Sequence, residues 1–316
     1  MAKRRSLLFT FVLILGAAVI ASGCSGAGNG KSLSVVTGGT GGTYYPLGGG
    51  MAKLISDKTE YTATAQISNA SAENMNLINT KKADIAFTQT DIASYAVEGQ
   101  QMFKEPLTSI KGIATLYPET VQIVTLKEKG INTVEDLKGK VVSIGAPGSG
   151  TEASASQILE IHGMTTEDIK AQHLSFDEST EGIQDGTIDA AFVTAGTPTG
   201  AVDSLQAVKD VSIVGMSEDK IKEMTEKYPF YVEDTIKAGT YGLQEDVKTV
   251  AVLAMLVARA DLDEETVYEA TKAIFDNVGE IGHAKAEFIN VESALDGMDI
   301  DIHPGADKYF KEKGLK

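Results

Sequence analysis

The 316-residue chain has no tryptophan, a single cysteine, four histidines and only three arginines. Each scarcity closes off some chemistry. One cysteine, Cys24, allows no disulfide within one copy. His162, His173, His283 and His303 share no close metal-ligand spacing, so no metal site is read from them. Gly148-Ser149-Gly150 lacks the Gly-x-Ser-x-Gly frame of a nucleophile elbow. Neither glycine-rich loop ends in the Gly-Lys-Ser/Thr of a phosphate-binding loop, and Tyr44 stands where the third glycine of a dinucleotide fingerprint belongs. Catalysis is left without residues, and the chain reads as a non-enzyme with no cofactor.

Positive charge is also in short supply. Against 44 Asp+Glu stand 28 Lys+Arg, a net charge of -16; without Lys3, Arg4 and Arg5 the balance is 25 against 44, or -19. So acidic a body is a poor partner for nucleic acid or anionic lipid. Arg259 is the only arginine beyond residue 5. A carboxylate ligand must therefore be held by that residue, by lysine, or by hydroxyls and backbone N–H groups. The competing role for Arg259 is pairing at a strand end with Asp261 or Asp263.

Long apolar runs are confined to the N-terminus, where Lys3, Arg4 and Arg5 precede an apolar stretch from Leu7 to Ile20 of signal-peptide length. Ala21-Ser22-Gly23-Cys24 resembles a bacterial lipobox, which implies that residues 1–23 are a removed signal and that Cys24 carries a lipid. Residues 24–30 then read as anchor and flexible tether. The expected location is extracytoplasmic, on the outer face of the cell membrane, with the lipid as the sole attachment. The later apolar run from Thr249 to Ala260 is too short to cross a bilayer comfortably and reads as a buried strand.

What the chain does have is glycine, placed twice in the same setting. Leu33-Ser34-Val35-Val36 leads into Thr37-Gly38-Gly39-Thr40-Gly41-Gly42-Thr43-Tyr44, and a helical pattern follows from about Leu47 to Lys58. Val141-Val142-Ser143-Ile144 leads likewise into Gly145-Ala146-Pro147-Gly148-Ser149-Gly150-Thr151, with a helix behind it. Such loops let a ligand approach the backbone, and the helix start offers unpaired N–H donors to an anion. The echo continues, since Ala83-Asp84-Ile85-Ala86-Phe87 recurs as Ile188-Asp189-Ala190-Ala191-Phe192, each about 48 residues after its loop. Two similar α/β lobes with a ligand cleft between them are expected, an arrangement like that of type II periplasmic binding proteins. Residues 31–117 plus 228–316 would form lobe 1 and 118–227 lobe 2. The run from Ile110 to Thr125 reads as two strands broken at Pro118, and the irregular stretch from Lys227 to Val247 as the return crossing. Ser71 is read as a helix N-cap.

Ligands of open α/β sheets bind outside the carboxyl ends of strands, which singles out Gln89 and Asp91 after the first echo and Thr194 and Gly196 after the second. Turn and cap roles compete for the first two. With the loops themselves, the expected contacts are Gly41, Gly42, Thr43, Tyr44, Gln89, Asp91, Gly148, Ser149, Gly150, Thr151, Thr194 and Gly196.

Thr37 to Gly50, Ser71-Ala72-Glu73-Asn74 with Ala83 to Asp91, Gly148 to Thr151, Arg259-Ala260-Asp261-Leu262 and His303-Pro304-Gly305-Ala306 together resemble the TAXI family of TRAP-type transporter receptors. That resemblance implies a monomeric solute receptor that closes on glutamate, glutamine or a dicarboxylate such as 2-oxoglutarate and hands it to TRAP-type permease subunits. A ligand-sensing surface lipoprotein without a permease is the alternative.

Overall fold

The strand–glycine loop–helix unit is drawn twice by the backbone of the computed structural model, which describes residues 31–315. Cys24 and the expected signal and tether lie outside them. The first copy runs β1 (Ser32–Val36), α1 (Tyr44–Lys58), β2 (Thr62–Gln66), α2 (Ser71–Asn79), β3 (Ile85–Gln89) and α3 (Thr90–Glu98). A long strand, β4 (Ile110–Leu126), follows. The second copy then repeats the order with β5 (Val141–Ser143), α4 (Gly150–Ile161), β6 (Lys170–Gln172), α5 (Phe176–Gln184), β7 (Ala190–Ala195) and α6 (Gly200–Gln206). Pairing matches as well: β1 lies parallel between β2 and β3, and β5 parallel between β6 and β7.

The tail comprises β8 (Val211–Val214), α7 (Glu218–Lys227), β9 (Val232–Ile236), β10 (Val247–Arg259), α8 (Glu264–Phe275) and α9 (Pro304–Glu312). β10 enters antiparallel between β3 and β4, giving the order β2-β1-β3-β10-β4-β7-β5-β6, with β8 on β4 and β9 on β10. Both lobes hang on β4 and β10. Residues 110–120 of β4 pair with β10, and residues 120–126 pair with β7 and β8.

Burial explains why these segments take these forms. Every residue of β3 and β7 is buried, as expected for central strands covered on both faces. In α1 the stripe Leu47, Met51, Leu54 and Ile55 is buried and packs with Leu33, Phe87 and Leu256. Ile123, Ile144, Ile158 and Phe192 form the corresponding core of the second copy. Ile236, Tyr241 and Leu243 pack with Val124 and Leu205, on the side of the second copy. Helix starts are signalled by caps, with Ser149, Ser175 and Asp263 accepting from Glu152, Glu178 and Thr266 N–H groups.

Three local expectations are corrected. β4 is one strand through Pro118, because a register shift in β10 between Leu253 and Met255 absorbs the missing donor. The stretch from Lys227 to Val247 holds β9 and a short 3₁₀ turn at Thr240–Gly242. Ser71 is the first residue inside α2, not its cap; the cap position is Ala70, and the first N–H groups are satisfied from elsewhere. Among the described residues no helix is long and apolar enough to cross a membrane.

Candidate functional site

Both glycine loops open onto one cavity of about 70 Å³, space for roughly five waters or a small solute. The loop before α1 contributes Gly42, Thr43 and Tyr44, the end of β3 contributes Gln89, and the start of α4 contributes Ser149, Gly150 and Thr151. β7 adds Thr194 from the other side. These eight were singled out in the sequence, and the fold brings them together because each ends a strand or opens a helix at the same edge. The Ser149 hydroxyl takes the N–H of Glu152. The first N–H groups of an α-helix lack partners within it, so those of Gly150 and Thr151 are the donors α4 presents at the wall.

The other four sit beside the cavity. Gly41 O accepts from Ala201 N at 3.1 Å, and Thr40 Oγ1 donates to Asp177 Oδ2 at 2.7 Å. Gly148 O accepts from Ala72 N and Glu73 N, at 3.0 and 3.1 Å, at the start of α2. Each glycine loop thus meets the first turn of a helix in the opposite copy, α5 and α2 being equivalent in the repeat. Gly148 has φ +73°, a conformation that side chains rarely adopt. Gly196 O lies 3.4 Å from Thr43 Oγ1 as its acceptor. Asp91 is fully buried and turned away, because it stands in the first turn of α3 rather than in the strand end. Its carboxylate accepts from Ile92 N at 2.8 Å, and the Tyr231 hydroxyl lies 3.5 Å from its other oxygen. Burial raises the Asp91 carboxyl to about 7.

Glu119 was not singled out, and among the described residues it is the only acid in the cavity wall. It sits mid-strand in β4, 2 % exposed, and accepts a 2.7 Å hydrogen bond from the Tyr44 hydroxyl. Burial holds its carboxyl well above the usual range, against the lowering influence of the Tyr44 hydroxyl; Asp91 raises it further and the Gln89 amide lowers it. An acid inside the apolar run from Ile113 to Val124 was the available signal. Two further buried polar atoms of the wall, Gln89 Oε1 and Thr194 Oγ1, have no hydrogen-bond partner. Among the described residues no lysine, arginine or histidine lines the cavity. Arg259 is occupied elsewhere, 3.4 Å from Asp84 and 3.1 Å from Asp261.

Residues 35–314 match the model of the NMT1-like family. The chain belongs to the NMT1-like family. The fold of this NMT1-like chain is that of two-lobed periplasmic binding proteins. It aligns with a solved structure from Bordetella bronchiseptica at 18% identity and TM-score 0.57, over 89% of this chain and 82% of that one. PhnD1 of Prochlorococcus marinus, solved with methylphosphonate, aligns at 13% identity and TM-score 0.53 over 90% and 98%. A Listeria monocytogenes protein named for L-cystine ABC transport aligns at 15% identity and TM-score 0.50 over 84% and 98%. The TAXI assignment is thereby corrected: the family that matches is the NMT1-like one, and of the neighbours one was solved with methylphosphonate and one is named for L-cystine ABC transport.

Proposed function

We propose that this NMT1-like chain is an extracytoplasmic solute-binding protein that closes its lobes on a small acid, a carboxylate foremost, and delivers it to a membrane permease. The observation that carries the reading is the convergence on one cavity of two helix starts, α1 and α4, from opposite copies of the repeat. Three or four charge-assisted hydrogen bonds from Thr43, Ser149, Thr151 and the loop N–H groups are each worth about 1.5 to 3 kcal/mol. Micromolar binding needs about 8 kcal/mol in total. The name of the Listeria neighbour supports a permease as the partner. The apolar N-terminal run and Cys24 support export and a lipid tether.

The lobes are proposed to move as bodies about β4 and β10. The packing of Ile236, Tyr241 and Leu243 with the second copy supports a return crossing inside β10, later than the one at residue 228 expected from the sequence.

The test is a calorimetric titration of the chain from residue 24 onward with small carboxylates, sulfonates and phosphonates. At least one carboxylate is expected to bind saturably with a micromolar dissociation constant. Heat from none of them overturns the reading.

A further inference from the structure

The wall of the cavity brings the start of α4 together with a buried acid, Glu119, and with a Gln89 oxygen that has no partner. Around Glu119 every facing group is arranged to give or to share a proton with an acceptor: the Tyr44 hydroxyl donates from α1, and the Gln89 amide stands beside it from β3. Tyr117, on the same strand, has a buried hydroxyl without a partner. The nearest other charge, Asp91 at the start of α3, is of the same sign. Burial nonetheless holds the carboxyl above its ordinary range, and the described residues of the wall supply no cation to neutralise it. Gln89 Oε1, 2 % exposed and without a partner, is a second acceptor at the same wall. Buried acceptors left unpaired are costly, and a buried carboxylate without a countercharge more so.

Resting on the solute-binding reading above, we infer that Glu119 is a specificity-determining residue that receives a protonated nitrogen of the solute. The solute then carries a cationic nitrogen as well as its acid group. An ammonium group brings three N–H donors and no acceptor. Glu119 takes one with full charge pairing, Gln89 Oε1 takes another, and the acid group faces the N–H groups of Gly150 and Thr151. A simple acid lacks the group that answers Glu119. The wall distinguishes the two by leaving a buried carboxyl without a countercharge, and Gln89 Oε1 without a donor, when the wrong one binds.

Matched pairs that differ by the amino group test this: L-glutamate against 2-oxoglutarate, L-alanine against pyruvate, and aminomethylphosphonate against methylphosphonate, each titrated by calorimetry. In the pair that binds, the amino member is expected to bind at least about tenfold more tightly, the scale of a charged hydrogen bond. Glu119→Gln keeps an acceptor for Tyr44 and the side-chain volume. It is expected to reduce that preference to near unity, with the acid member still bound and the melting temperature retained. Equal or tighter binding of the member without nitrogen overturns the inference, as does an amino preference that survives Glu119→Gln. Should Glu119→Gln fail to fold, Gln89→Met supplies the same reading, since it removes the second acceptor and is expected to weaken the amino member selectively; equal weakening of both members overturns the inference. Absence of binding by every pair overturns the acid-binding reading itself, an outcome distinct from binding without preference.

Discussion

Gly150→Val is expected to lower solute affinity by at least about a hundredfold, close to 2.7 kcal/mol, while leaving the melting temperature of the unliganded protein within about two degrees. The reason is the position of the first residue of α4. A Cβ built there falls 1.7 Å from Gln89 Oε1, 2.4 Å from Gln89 Cδ and 3.0 Å from Ser71 Oγ. All three atoms belong to the first copy of the repeat, whereas Gly150 belongs to the second. The clash therefore opposes closure and not the folding of either lobe. Within its own helix a first-turn residue tolerates valine at a cost below about 1 kcal/mol. Calorimetry and a thermal melt on one preparation separate the effects. Retained affinity in Gly150→Val would mean that the solute is not held where α4 meets Gln89, and a large fall in melting temperature would make the glycine a folding requirement instead.

Asp91→Asn is expected to stabilise the protein at pH 8 by about 4 kcal/mol at most and to have little effect at pH 4. The wild-type carboxyl is completely buried and titrates at about 7, while an unfolded chain releases the same proton near the ordinary value of 3.8. Between those values the native state holds more protons than the unfolded state, so stability falls as pH rises. The contribution of the neutral carboxyl is fully present below pH 4 and lost above 7. Each unit corresponds to about 1.4 kcal/mol. Asparagine stays neutral throughout and can still accept from Ile92 N. Glu119 is raised by burial and also by the charge of Asp91, so the difference in melting temperature against pH reports Asp91 together with its coupling to Glu119. A difference that does not grow between pH 4 and 8 would remove Asp91 as a buried titrating group at the seam where Tyr231 meets α3.

Much of this molecule was legible in the order of residue types. The repeat of strand, glycine loop and helix could be read because local signals agree with one another: Val35 and Val36 alternate into a strand, Gly38 to Gly42 break it, and Leu47, Met51, Leu54 and Ile55 set the helical stripe. Strand ends in such sheets collect at one edge, so Gln89 and Thr194 were placed correctly at the cavity wall without any knowledge of their neighbours. Asp91 was not, because two residues of helix turn a side chain through slightly more than half a circle, and the boundary between β3 and α3 falls at Gln89. Pro118 misled for a related reason. Proline argues against a central strand, yet the compensating shift lies in β10, over a hundred residues away.

Glu119 shows where local reading ends. Its meaning depends on the Tyr44 hydroxyl 75 positions earlier and on a wall that contains no cation, neither of which periodicity encodes. The family was missed as well: the motifs resembled those of TAXI receptors, and the family that matches residues 35–314 is the NMT1-like one.

The account stands on a solute held between the two copies of the repeat. Hydrogen exchange read by mass spectrometry, with and without the tightest-binding acid from the titration series at saturation, measures that directly. The account predicts that peptides covering residues 38–44 and 145–151 gain protection together, since the ligand bridges both loops and stabilises their mutual contacts. Protection confined to one loop, or appearing only away from both, would contradict it.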